Sequence, residues 1–207
     1  MRPAIGFDLD MTLVDTRPGI HAALVALAAE TGRRIDADRV VAALGPPIQG
    51  VLSEWFGPDE IDEAVTTFRR HMAAVGVQGV AALPGASDAV AAVRAADLRV
   101  VVVTSKIEPL AVATLRNAAL DVDVVHGGLW AEGKSEPLRI EGALAFVGDH
   151  PADMVAAGTA GVPGFGVTSG ASAREDLLAA GAGEVAASLA AFPAWLESVL
   201  AGQPSAT

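Results

Sequence analysis

The chain contains no cysteine, which excludes disulfides, thiolate catalysis and cysteine-ligated zinc together. It has no apolar run long enough to cross a bilayer, because Gly, Pro or a charged residue interrupts every candidate. An aspartate arrives at position 8, too early for the hydrophobic segment of a secretory leader. These absences point to a cytoplasmic protein with no membrane partner. Basic residues are also scarce: 14 Lys and Arg stand against 25 Asp and Glu, for a formal net charge of −11. They are scattered, and Arg33-Arg34 and Arg69-Arg70 are the only adjacent pairs. Such a chain repels a phosphate backbone, so nucleic acid is not expected as a partner. What remains is ample for folding. The 207 residues are 52% hydrophobic and 19% charged, enough for one catalytic domain and a modest insert.

The pattern of apolar residues predicts an α/β protein. Residues 3–8 read as a short buried strand that ends in an acidic turn. The next strand, at 98–104, is a continuous apolar run of the kind a parallel sheet buries on both faces. Between them lie four helical segments with no strand. Thr16 is the expected N-cap of the first, with Pro18 in its first turn and Gly32 after its end. Asp36 caps a second that stops at Gly45; a third spans 46–56 and a fourth 59–74. From Pro84-Gly85 onward helices and strands alternate: helices at 86–96, 108–118, 136–141, 153–160 and 173–180, and strands at 98–104, 122–125, 144–147 and 163–167. Alternation of this kind implies a doubly wound parallel sheet covered on both faces. The expected organisation is a core of residues 1–15 and 84–207, with a helical insert of residues 16–83 after the first strand.

A parallel sheet gathers its ligands at the carboxyl ends of its strands, and there the predicted strands carry polar residues. The first ends in Asp8-Leu9-Asp10-Met11-Thr12, the second in Thr104-Ser105-Lys106, and a later one in Gly148-Asp149 with Asp153 a helical turn beyond; Lys134 lies in the loop before it. Clustered carboxylates repel unless a hard cation joins them, and oxygen ligands in a small site suit Mg²⁺. A carboxylate can accept a phosphoryl group, and a second one can move the protons. A hydroxyl and a lysine can hold the phosphate oxygens. The pattern therefore points to phosphoryl transfer.

These same residues resemble the four motifs of haloacid dehalogenase-superfamily phosphatases. Asp8-Leu9-Asp10-Met11-Thr12 is similar to the first, Thr104 to the second, Lys134 to the third, and Gly148-Asp149-His150-Pro151-Ala152-Asp153 to the fourth. All occur in order, and the helical insert resembles the small cap of the phosphoglycolate phosphatase-like branch. The resemblance implies Asp8 as nucleophile and Asp10 as general acid and base. It implies that Asp8, the Asp10 carbonyl and Asp149 bind Mg²⁺, with Asp153 supporting them, and that Thr104, Ser105 and Lys134 hold phosphate. Two residues depart from the family pattern: Met11 stands where glycine is usual, and Ser105 replaces a commoner asparagine.

Three rival readings are weighed against this one. Residues 128–135, Gly-Leu-Trp-Ala-Glu-Gly-Lys-Ser, fit a P-loop pattern. A P-loop needs a full helix after its lysine, and Pro137 with the strand at 144–147 leaves room for little. A receiver-like phosphoacceptor also gathers acids, a hydroxyl and a lysine, but without a helical insert. A sugar-phosphate mutase would keep both aspartates. The expected substrate is a small phosphorylated metabolite: phosphoglycolate, a sugar phosphate, a nucleoside monophosphate or pyrophosphate. The insert should choose among them, through the loop at Gly45, Pro46 and Pro47 and through Arg69 and Arg70, of which only one can face the site squarely. Trp130 and Trp195 are expected to pack, and His150 to face solvent or mark a helix entry.

Overall fold

The computed structural model describes residues 2–202. β1 (Ala4–Phe7) runs into the acidic turn and is followed by a two-residue strand, β2 (Val14–Asp15). Helices α1 (Arg17–Thr31), α2 (Ala37–Ala42), α3 (Ile48–Leu52) and α4 (Ile61–His71) come next, and α4 continues into a π-helical turn at Met72–Gly76. The chain returns through β3 (Ala81–Ala82). Alternation then sets in: α5 (Ala86–Ala95), β4 (Arg99–Val103), α6 (Glu108–Asn117), β5 (Val124–His126), α7 (Ser135–Ile140) and β6 (Ala143–Gly148). It ends with α8 (Pro151–Ala160), β7 (Gly164–Val167), α9 (Arg174–Ala179), β8 (Ala182–Ala186) and α10 (Phe192–Ala201).

Six strands form one parallel sheet in the order β5-β4-β1-β6-β7-β8. Side chains on a strand alternate between faces, and the two faces bury different partners. Ile5, Phe7, Val100, Val102 and Val147 pack with α5 and with Phe192 and Leu196 of α10. Ala4, Val101, Val103 and Phe146 meet Leu138 of α7 and Ala156 and Ala157 of α8. The doubly wound α/β sheet is therefore the one predicted. β1 lies at the switch in strand order, because the chain fills β4 and β5 on one side before crossing to β6 on the other. Ligand crevices form at the carboxyl ends of strands at such a point.

The helical insert has its own apolar cluster, centred on Leu24, Leu27, Leu52, Phe56 and Phe68. Gly19 of α1 meets Gly76 of the π-helical turn backbone to backbone: a Cβ at Gly19 would stand 1.8 Å from the Gly76 carbonyl oxygen. The insert is joined to the rest by more than two crossings of chain. β2 and β3 pair as an antiparallel ribbon at the joint. Leu110 of α6 belongs to the insert's apolar cluster, and the Asn117 side-chain amide donates to the Val77 carbonyl at 2.7 Å.

The structure departs from the sequence reading in four places. Thr16 precedes α1 without capping it; its hydroxyl is buried with no partner among the described residues. Asp15 takes that part, accepting from the Arg17 N–H at 3.1 Å. α2 ends at Ala42, so Gly45 lies in the loop beyond it. α3 is only Ile48–Leu52, half the predicted length, and begins directly after Pro47. The chain after α9 adds an edge strand and a closing helix that the pattern does not announce. No described helix is long and apolar enough to cross a membrane.

Candidate active site

The carboxyl ends of β1 and β6 bring Asp8, Asp149 and Asp153 together. Asp8 follows β1 directly, and its N–H donates to the Val147 carbonyl at 2.8 Å, which fixes it against β6. Asp149 follows β6, and Asp153 lies in the first turn of α8. All three are buried, and carboxylate oxygens from each lie within 4.8 Å of one another. Thr12 joins the two strand ends by donating its hydroxyl to Asp149 Oδ1 at 2.8 Å. Met11, in the same turn, has a φ of 61°. A glycine would adopt that left-handed conformation freely, so here a buried methionine is held where the usual residue carries no strain.

One ammonium answers the three carboxylates. Lys134 is buried, and its Nζ donates to Asp8 Oδ1 and to Asp153 Oδ1, each at 2.7 Å. The Phe146 and Trp130 rings lie 5.7 and 6.0 Å from it. Burial disfavours its charge, but Asp153 and Asp8 outweigh that and hold the lysine above its usual range. The carboxylates remain under-compensated. Burial, reinforced by Asp153 and opposed by Lys134, pushes Asp8 up to about 7. Burial and the Asp8 and Asp153 charges raise Asp149 well above the ordinary carboxylate range. A buried, all-oxygen set with excess negative charge fits a hard divalent cation such as Mg²⁺. Asp153 is the least free of the three, since Oδ1 takes Lys134 and Oδ2 accepts the His150 N–H at 3.2 Å.

Asp10 stands apart from this cluster, part-exposed at the cavity wall and ion-paired through Oδ1 with Lys106. Lys106 is the lysine three residues beyond the end of β4, and its position two after Thr104 is the signal that marks it in the sequence. Thr104 itself is fully buried beneath the cavity, and its hydroxyl accepts the Lys106 N–H at 3.3 Å. Ser105 and Lys106 are the residues of this turn that line the space. Ser169 adds a support that no motif announces, donating its hydroxyl to the Met11 carbonyl at 2.5 Å.

The cleft above these groups is open to solvent on one side, and the helical insert forms its far wall. Gly45 and Pro46 of the insert both line it. Gly45 has a φ of 151°, and a Cβ there would come within 2.6 Å of His150 Cδ2, so the insert loop rests on the residue between Asp149 and Asp153. His150 is the helix-entry residue predicted, its Nδ1 accepting the Ala152 N–H at 3.1 Å; burial lowers its pKa, which favours the neutral ring. The two arginines of α4 diverge. Arg69 lines the cleft, while Arg70 turns away to Glu30 at 2.5 Å, and His71 meets the same carboxylate at 2.9 Å. Trp130, expected only to pack, lines the cleft and lies 5.0 Å from the His150 ring. Trp195 does pack, against Phe165 and Phe192.

The P-loop reading fails on geometry. Residues 131–134 form a 3₁₀ turn, Lys134 is spent on two carboxylates, and the helix that follows has six residues.

With this arrangement in place, the family model of haloacid dehalogenase-like hydrolases matches residues 5–167, and the chain belongs to that family. A phosphoglycolate phosphatase of Rhodospirillum rubrum is 31% identical over 221 residues, spanning 95% of this chain and 91% of that one. A phosphoglycolate phosphatase of Salmonella typhimurium is 29% identical, over 80% and 81% of the two chains. Among solved structures, the haloacid dehalogenase-like family protein SP0104 of Streptococcus pneumoniae superposes with a TM-score of 0.81 at 25% identity, over 94% of this chain and 98% of its own. These likenesses dispose of the receiver-like alternative, since the family is one of hydrolases.

Proposed function

We propose that the protein is a Mg²⁺-dependent phosphatase that cleaves a small phosphate monoester through an aspartyl-phosphate on Asp8. The observation that carries this reading is the meeting of Asp8, Asp149 and Asp153 with Lys134 at the floor of a cleft that also exposes Asp10. A carboxylate oxygen of Asp8 attacks phosphorus as the bond to the alcohol oxygen breaks, and Asp10 gives the departing oxygen a proton. Asp10 then takes a proton from water as that water attacks phosphorus. The bond to Asp8 breaks, and inorganic phosphate leaves. Lys106 holds Asp10 for both transfers. Ser105 and the one N–H of Lys134 not given to Asp8 or Asp153 offer donors to the phosphate oxygens, and Thr104 positions the turn that carries Ser105. When bound, Mg²⁺ would be held by Asp8, Asp149 and the Asp10 carbonyl, would offset the charge of the phosphoryl group, and would keep Asp8 ionised.

In this proposal residues 16–83 act as a cap over the core of residues 1–15 and 84–207. The β2–β3 ribbon at the joint is the natural hinge, and closure would exclude all but the attacking water. A sugar-phosphate mutase must also seat a second phosphate, and the cap wall offers Arg69 as its single cationic side chain, which favours hydrolysis. Replacement of Asp8 by Asn tests the mechanism. Asp8→Asn should keep the fold and the thermal transition, yet lose turnover of phosphate esters by about 10³-fold or more. Wild-type activity should require added Mg²⁺ and vanish in EDTA. Near-native rates for Asp8→Asn would end the aspartyl-phosphate reading, and full activity after exhaustive chelation would end the metal's part in it.

A further inference from the structure

Beyond the reacting groups, the cleft is apolar. Leu44, Ile48 and Val51 from the insert and Ile107 from the start of α6 are half-buried and line the space, with Phe68 and Leu110 behind them. The polar side chains of the cleft are already committed, with few exceptions. Lys134 is bound to Asp8 and Asp153, and Lys106 to Asp10. His150 has Nδ1 occupied by the Ala152 N–H and lies under the Gly45 loop. Arg69 and Ser105 remain, together with His150 Nε2 and the indole N–H of Trp130. A sugar would have to press several hydroxyls against aliphatic carbon. Each buried hydroxyl without a partner loses on the order of 1–3 kcal/mol. A two-carbon acid would reach little of the wall and leave it wet.

Resting on the phosphatase reading, we infer that the ester taken by this site has an apolar alcohol of several carbon atoms, which the wall of Leu44, Ile48, Val51 and Ile107 covers. Specificity of this sort comes from area removed from water, so it should grow with each methylene until the wall is filled.

The test measures kcat/KM with Mg²⁺ for ethyl, butyl and hexyl phosphate beside phosphoglycolate and glucose 6-phosphate. Primary alkyl phosphates keep the leaving-group basicity nearly constant, so the series isolates the wall. The expected result is a rise on the order of fourfold per methylene, with hexyl phosphate ahead of both metabolites by about tenfold or more. The double variant Ile48→Thr with Val51→Thr, which keeps both β-branches, shortens position 48 by one carbon and places two hydroxyls in the wall, should flatten that rise. A flat chain-length series, an unaltered slope in the double variant, or a preference for phosphoglycolate or glucose 6-phosphate would overturn the inference and leave the phosphatase reading standing. Failure to hydrolyse any ester of the panel would overturn both.

Discussion

Two buried groups of charges in this molecule behave in opposite ways. At the carboxyl ends of β1 and β6, Asp8, Asp149 and Asp153 share one ammonium, and burial with mutual repulsion raises Asp8 and Asp149. At the end of α7, Glu141 accepts from Arg99 at 2.6 Å and meets His126 at 2.9 Å, and its pKa is lowered. Burial disfavours the charge at both sites; it leads at Asp8 and Asp149, whereas at the part-buried Glu141 the Arg99 hydrogen bond outweighs it. The count of partners tips that balance. Where donors match the carboxylate, its charge is comfortable and the cluster serves the fold. Where carboxylates outnumber donors, the excess waits for something from outside, which in the proposed reading is a cation and a phosphoryl group. The insert repeats the contrast on one helix. Arg70 is paired with Glu30, whereas Arg69, among the described residues, has no carboxylate within reach and lines the cleft.

The strongest way to break this comparison is to remove the single counter-charge of the site. Lys134→Met keeps most of the side-chain volume but leaves three buried carboxylates with no ammonium. The expected loss is about 3–5 kcal/mol of stability at neutral pH in the metal-free protein, read from urea denaturation, with phosphatase activity abolished. Added Mg²⁺ should restore part of the stability but not the activity. If Lys134→Met were as stable as the wild type without metal, the site would not be under-compensated and the contrast with Glu141 would collapse.

How much of this was legible beforehand follows from the same physics. Asp8, Asp10, Asp149 and Asp153 stand out because an acidic residue at the end of an apolar strand has no business in a core. The strands themselves show as unbroken valine runs such as 100–103. Lys134 could be placed because the pattern around it was ordered. Lys106 was visible as an amine near the site, but its pairing with Asp10 depends on the turn after β4, which spacing does not fix. The β2–β3 ribbon is two residues per strand, too short for any periodicity. β8 is Ala-Gly-Glu-Val-Ala, a weak strand former that the existing edge of β7 recruits. Tertiary contact overrides local preference there. Trp130 read as a packing residue because nothing in its neighbours shows which way a loop side chain turns. Whether Arg69 or Arg70 faces the cleft was likewise beyond spacing, since it depends on where α1 places Glu30.

The two arginines give the next test, of intermediate size. Arg69→Ala should change kcat/KM for an anionic ester such as phosphoglycolate by about tenfold relative to ethyl phosphate, the scale of one charged contact. Arg70→Ala should alter that ratio by no more than about twofold, since its pair with Glu30 lies on the surface and such pairs contribute little. Steady-state kinetics of both variants on the two esters decides it. Equal changes in the two variants would mean that Arg69 acts through the fold of α4, and its place in the cleft wall would carry no specificity.

The smallest expected effect lies at the matched cluster, where the sign can be worked through pH. Glu141 has an ordinary value of 4.5 that the Arg99 hydrogen bond, then His126, lowers in the folded protein. A carboxylate with a depressed folded pKa contributes stability that is fully present above its unfolded pKa and is lost as pH falls through the folded one. Glu141→Gln should therefore cost about 1 kcal/mol at pH 7, the scale of a part-buried hydrogen bond. The gap between wild type and variant should begin to close as pH drops below 4.5 and should vanish once Glu141 is protonated in both states. Phosphatase kinetics at pH 7 should be unchanged, because Glu141 packs beneath the sheet against Arg99 and His126 and lines no part of the cleft. Urea melts of both proteins from pH 3 to 8 would show this. A gap that widened with falling pH would mean that Glu141 is held neutral in the fold, and the rule that matched donors keep a buried carboxylate charged would fail at the place where it should hold best.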